Sequence, residues 1–181
     1  MIIALSSLDE AVAAEDGPAP IPEATWYRAS EHDVGMTFAL ERGALSACKW
    51  LTADFLLDGV DHAVLRIVLA ESESGRTFAY RFGLLNQVGA RLRLPLEAVD
   101  QSRWQTGREG ALLKPMCLGD AVALDAVDSL KLVIGGKGDG PVRFCMTPLS
   151  ATVEEPERLT EPVLPKGPIL DELGQSRVRS W

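Results

Sequence analysis

Between Arg76 and Phe82 every second side chain is a large aromatic. Phe78, Tyr80 and Phe82 share one face of an extended strand, and Ala79 and Arg81 take the other. The same period of two recurs along the chain. Leu51, Ala53, Phe55 and Leu57 alternate with Trp50, Thr52 and Asp54. Ala90, Leu92, Leu94 and Leu96 alternate with Arg91 and Arg93, and Val142, Phe144 and Met146 with Arg143 and Cys145. Leu65, Ile67 and Leu69 oppose Arg66, with Val68 making that run apolar on both faces. Long stripes of period 3.6 are scarce, and nothing supplies the crossover helices that a parallel sheet needs.

This pattern predicts strands over about 36–41, 45–57, 62–70, 76–84, 88–96, 129–135 and 141–148. Ser72-Glu73-Ser74-Gly75 reads as a hairpin turn, with Gly75 free to take positive φ, so its flanking strands are antiparallel. Val122 to Leu130 spaces its apolar residues as one short helical turn. Half-buried antiparallel strands of this kind pack as two sheets, so the expected fold is all-β, a two-sheet antiparallel β-sandwich of the jelly-roll kind, with an open barrel as the alternative. At 181 residues the chain can bury one core without disulfides or metals.

Residues 11–33, rich in Ala, acids and Pro, read as loosely held, so residues 1–35 are expected to be a partly ordered extension. The sandwich is expected over 36–155. Residues 156–181 contain the proline-stiffened run Leu164 to Gln175, which reads as a linker toward a further domain.

The formal net charge of -8 disfavours nucleic acid and anionic lipid as partners. Met1 to Leu5 is too short for the apolar part of a signal peptide and has no basic residues before it, and no stretch has the length of a membrane span. Cys48, Cys117 and Cys145 include no CxxC pair and read as packed free thiols. His32 and His62 have no partners at metal-ligand spacing and read as surface residues. Gly135 to Gly140 reads as a hairpin loop. Calcium held by Asp139 and carbonyls is conceivable there, and otherwise no cofactor is expected. Acids are so numerous that no pair, Asp54 and Glu71 included, stands out as glycosidase acid and nucleophile.

Trp50, Arg66, Arg81, Arg91, Arg93 and Arg143 all fall opposite the core faces. On neighbouring strands of one sheet they would form an arginine-rich, aromatic-edged surface. Indole faces stack on pyranose rings, and guanidinium forks bond hydroxyl, carboxylate or sulfate oxygens, so one reading is a glycan face. The other is that these arginines pair with nearby acids or lie under a neighbouring domain. Trp104, in the polar loop Gln101 to Gly110, is either the rim of a ligand site or a cap on the sandwich.

Phe82-Gly83-Leu84-Leu85-Asn86-Gln87 followed by Ala90 to Leu96 resembles the middle of the jelly-roll, carbohydrate-binding-module-like domains that precede the barrel in agarase-type glycoside hydrolases. Pro168-Ile169-Leu170-Asp171-Glu172-Leu173-Gly174-Gln175 resembles the junction that opens the (β/α)8 domain in family 50 β-agarases and related β-galactosidase-like enzymes. The resemblance implies a non-catalytic accessory module that binds polysaccharide of galactan or agar type, with the catalytic carboxylates in a barrel beyond this chain. The parent enzyme would then be secreted or periplasmic. Trp50, Arg81, Arg91, Arg93 and Trp104 are the candidate glycan contacts. The alternative within the same resemblance is a structural domain that docks on its catalytic barrel and stabilises it without binding glycan.

Overall fold

A computed structural model describes residues 1–99, 117–135 and 140–157. Among them the chain is all-β and forms two antiparallel sheets packed face to face, a jelly-roll β-sandwich. The strands are β1 (Leu5–Leu8), β2 (Val12–Glu15), β3 (Thr25–Ala29), β4 (Val34–Ala39), β5 (Trp50–Asp58), β6 (His62–Glu71), β7 (Arg76–Leu85), β8 (Gly89–Pro95), β9 (Cys117–Gly119), β10 (Ser129–Gly135), β11 (Val142–Met146) and β12 (Ser150–Thr152).

In the first sheet β5 has β8 along one side and β11 with β12 along the other, followed by β3 and β2. The second sheet runs β1-β4-β10-β6-β7-β9. The alternation sets the inner faces as expected. Leu51, Ala53, Phe55 and Leu57 from β5, Phe144 from β11, and Leu65, Ile67 and Leu69 from β6 are all buried. Phe55 reaches across to Phe82 of the second sheet, with ring centroids 5.4 Å apart, and Tyr27 stacks on Phe144 at 5.8 Å. Removing any of these large core side chains would cost about 3–5 kcal/mol.

The β6–β7 hairpin closes at Ser72 to Gly75, where Gly75 takes φ +71° and donates its amide to Glu71 O at 2.9 Å. Three local expectations are corrected. Residues 45–47 are turn and 48–49 irregular, not strand, although Leu45 in that turn is fully buried. Gly135 to Gly140 does not close a hairpin, because β10 lies in the second sheet and β11 in the first, so the chain crosses between sheets there. Residues 1–35, expected as a partly ordered extension, supply β1 to β3, and Val12, Trp26, Tyr27 and Ala29 are buried. Their sequence is rich in turn formers, but Thr25 to Ala29 alternates like the other strands, and its pairing with β11 outweighs the proline-rich composition before it.

Two features hold the second sheet together. Gly35 in β4 faces β10 so closely that a Cβ there would meet Leu132 O at 2.3 Å. At one corner of the sheet Glu71 is buried, accepting from the Ser74 hydroxyl at 2.6 Å and from the Ala123 amide, while Asp128 accepts from the Ser72 hydroxyl at 2.9 Å. These hydrogen bonds hold the Glu71 and Asp128 carboxyls below their ordinary range.

Gly35→Ala should therefore lower stability by roughly 2–3 kcal/mol, because backbone cannot yield cheaply to overpacking. Gly83→Ala, whose Cβ would meet only Ala63 O at 4.0 Å, should be tolerated, and urea unfolding of the two variants checks the contrast. The depressed carboxylates also set an acid limit. Above the ordinary glutamate range near about 4.3 their contribution is fully present. As pH falls below it the unfolded chain takes up protons that the folded one refuses, so stability drops. Urea midpoints measured from pH 7 down to 3 should show that fall, and Glu71→Gln should start less stable and fall less steeply.

Candidate functional site

The outer face of the first sheet carries most of the chemistry-bearing side chains. Because β5, β8 and β11 pair in register, their outward residues form cross-strand rows: Asp58 beside Arg143, Leu56 beside Cys145 and then Trp26, Asp54 beside Arg91, Thr52 beside Arg93, and Trp50 beside Pro95.

In the Asp58 row Arg143 lies directly opposite Arg28 of β3, a like-charge pairing that would be unfavourable by itself. Glu15 of β2 offsets it by accepting from both guanidinium groups, from Arg143 Nε at 2.7 Å, and Asp58 accepts from Arg143 as well. Hydrogen bonds from Arg143 and then Arg28 hold the Glu15 carboxyl below its ordinary range. The Arg143 guanidinium also lies over the Trp26 ring, 3.8 Å from its centroid.

The middle row makes a second small apolar cluster. Trp26, Leu56 and Cys145 are buried on this outer face under Ala19, Ile21 and Ala24, and Trp26 Nε1 donates to Pro18 O at 3.1 Å. The proline-rich segment between β2 and β3 is thus a strap laid across the sheet.

Beyond the strap lies an open groove of about 1170 Å³. Thr52, Asp54, Thr147, Ser150 and Thr152 line it, with Ile21 to Glu23 and Glu154 to Glu157 also on its borders. Arg91 grips Asp54 with a two-pronged fork, Nε to Oδ1 at 2.6 Å and Nη2 to Oδ2 at 2.8 Å, and gives its remaining Nη1 to Glu157 O at 3.0 Å. Arg93 donates Nε to Pro156 O at 2.8 Å and pairs with the Glu155 carboxylate, its guanidinium carbon 5.7 Å from the Trp50 ring centroid. The two β8 arginines therefore clasp residues 155–157 against the sheet.

Of the expected contacts, Trp50, Arg91 and Arg93 come together on this face. Arg81 does not. It projects from β7 on the outer face of the second sheet, opposite Arg66, which pairs with Asp33. The expectation of a single arginine-rich sheet is corrected accordingly, since alternation tells which residues point outward but not which sheet they belong to. Trp104 and Asp139 lie outside the described residues. His32 and His62 are exposed, Cys145 is buried, and Cys48 and Cys117 are half-buried, with no disulfide among the described residues. Asp54 and Glu71 sit in different sheets, each engaged in structural bonds. Thr52, Ser150 and Thr152 in the groove, and Trp26 under the strap, were not singled out by sequence; the Trp26/Arg28 alternation was the available signal.

The Asp54–Arg91 pair is mostly shielded, at 19% and 27% side-chain exposure. A double-mutant cycle on Asp54→Ala and Arg91→Ala should give a coupling of roughly 1–2 kcal/mol, between the ranges for exposed and buried pairs. Denaturant melts of the four proteins measure it.

No sequence-family description matches the chain, and no curated protein is similar enough in sequence to align with it. Solved structures do match. The family 11 carbohydrate-binding module of Clostridium thermocellum, in complex with a β-1,3-1,4-mixed-linked tetrasaccharide, superimposes with a TM-score of 0.53 at 14% identity, over 78% of this chain and 82% of that one. An exo-β-agarase matches with a TM-score of 0.54 at 8% identity, over 87% of this chain and 25% of its own. A further agarase gives 0.52 at 8% identity, over 82% and 23%. The chain thus spans about a quarter of the agarases' length, and what it shares with all three proteins is the jelly-roll β-sandwich fold.

Proposed function

We propose that this chain is a non-catalytic, carbohydrate-binding accessory module of a polysaccharide-degrading glycoside hydrolase, with the groove on the outer face of the first sheet as its binding site. The observation that carries this reading is the groove itself. It lies on the sheet, its lining offers short hydroxyls from Thr52, Ser150 and Thr152, and Trp50 is the register partner of Thr152 on the neighbouring strand. Hydroxyl floors edged by an aromatic suit the alternating polar and C–H surfaces of a sugar chain. The fold common to a saccharide-bound module and to two agarases supports the same reading. The resemblance of residues 168–175 to the opening of a family 50 barrel supports agar or galactan as the polymer and a catalytic domain as the covalent neighbour.

A second reading is favoured by the opposite face. On the second sheet Arg81 has no ion pair among the described residues, and Leu85 and Leu118 are 47% and 43% exposed. Such a surface suits docking against a catalytic barrel without any glycan contact.

Affinity electrophoresis through gels containing agarose, porphyran, carrageenan or galactan separates the two. Binding predicts retardation by at least one polymer. Thr52→Trp, which fills the groove floor, should weaken it about tenfold or more, Trp50→Ala by less, and Arg81→Ala not at all. Loss of retardation in Trp104→Ala would add that loop to the site. Unretarded migration in every gel, with Leu85→Ser and Leu118→Ser improving solubility at unchanged stability, would replace the binding reading with the docking one.

A further inference from the structure

Arginines were the groups expected to recognise a ligand, yet Arg91 in the groove and Arg93 beside it on β8 are already engaged. Arg91 has its fork closed on Asp54 and its last nitrogen on a backbone carbonyl, and Arg93 is held by Glu155 and Pro156. Their charge is already offset by Asp54 and Glu155, so pulling either guanidinium fully onto a ligand sulfate or carboxylate would break these bonds and, for Arg91, leave a half-buried aspartate without its partner. With Arg91 paired and the Met1 amine donating to Ala151 O at 2.8 Å, the groove lining carries more negative than positive charge. Glu23, Glu154 and Glu157 border it and have no ion pair among the described residues. The floor between them is lined by neutral hydroxyls. The wider field has the same sign, at a net charge of -8.

Resting on the carbohydrate-binding reading above, we propose that this groove takes uncharged saccharide chains and turns away sulfated or carboxylated ones, with Glu23, Glu154 and Glu157 as the specificity-determining residues. A polyanionic chain lying in the groove would bring its own charges toward these carboxylates, whose repulsion reaches about 10 Å at 0.1 M salt. A neutral chain would meet hydroxyl partners and no such penalty. Discrimination here comes from repulsion of the wrong polymer rather than from extra attraction to the right one.

The test compares retardation of the whole chain by agarose, which is neutral, and by carrageenan, which is sulfated, each relative to a polymer-free gel. Runs at about 0.01 M and about 0.1 M salt span Debye lengths of about 30 and 10 Å. Agarose should retard the chain equally at both. Carrageenan should retard it less, with the gap narrowing as salt rises. The triple variant Glu23→Gln, Glu154→Gln, Glu157→Gln should raise the ratio of carrageenan to agarose retardation about tenfold at low salt. A control set of equal charge outside the groove, Glu31→Gln, Glu41→Gln, Asp125→Asn, should leave the ratio near that of the original chain. Stronger retardation by carrageenan than by agarose, an unmoved ratio in the groove variant, or an equal shift in the control set would each overturn the filter and leave the binding reading standing. Absence of retardation by either polymer, in every variant, would instead remove the binding reading on which the filter rests.

Discussion

Strand β5 must satisfy partners on both edges and both faces at once, and most of the molecule follows from how it does so. One edge pairs with β8 along seven residues, and the other is divided between β11 and β12. The break between those two falls at Thr147, whose hydroxyl accepts the Asp54 amide while its own amide donates to Asp54 O, so the ladder continues across the irregularity. A one-residue slip of β5 would place Trp50, Thr52 and Asp54 in the core and expose Leu51, Ala53 and Phe55, a loss that no rearrangement of the outer face could offset. The register that builds the core is therefore the same register that sets Asp54 against Arg91 and Thr52 against Arg93.

Charge on the outer face is organised by that register more than by composition. Arg143 and Arg28 would repel each other, but Glu15 enters from β2 to bond both, and Asp58 flanks them. Arg91 and Arg93, one position out of phase with their core-facing neighbours, find Asp54 below and residues 155–157 above. The arginines that look conspicuous in an acidic chain are largely internal counter-ions. What remains outside those ion pairs on this face is hydroxyl, an aromatic edge and surplus carboxylate, a different surface from the guanidinium-rich one that residue types alone would predict.

The sandwich was legible in the sequence because a period of two repeated over long segments is hard to produce in any other way, and Ser129–Gly135 was delimited to the residue. Short strands escaped. Cys117–Gly119 and Ser150–Thr152 span three residues each, too few to display a period, and they are strands only because β7 and β5 present open edges to them. Val12–Glu15 and Thr25–Ala29 were hidden by the prolines between them, although those prolines form the strap that buries Trp26. The site was half legible. Outward positions could be read from alternation, but the distribution of Arg66 and Arg81 to one sheet and Arg91, Arg93 and Arg143 to the other depends on inter-sheet crossings that leave no mark in periodicity.

The clasp on residues 155–157 makes one stretch of chain serve two purposes. It borders the groove, and it is also the route by which the polypeptide leaves the sheet. The bonds from Arg91 and Arg93, which run to Glu157 O and Pro156 O, brace that stretch against β8. Losing them would free the groove's border on that side while leaving the β5–β8 ladder paired. One border of the groove is therefore fixed by two arginine side chains and not by strand pairing, so its width on that side depends on charge and hydrogen bonding where the sandwich depends on backbone register.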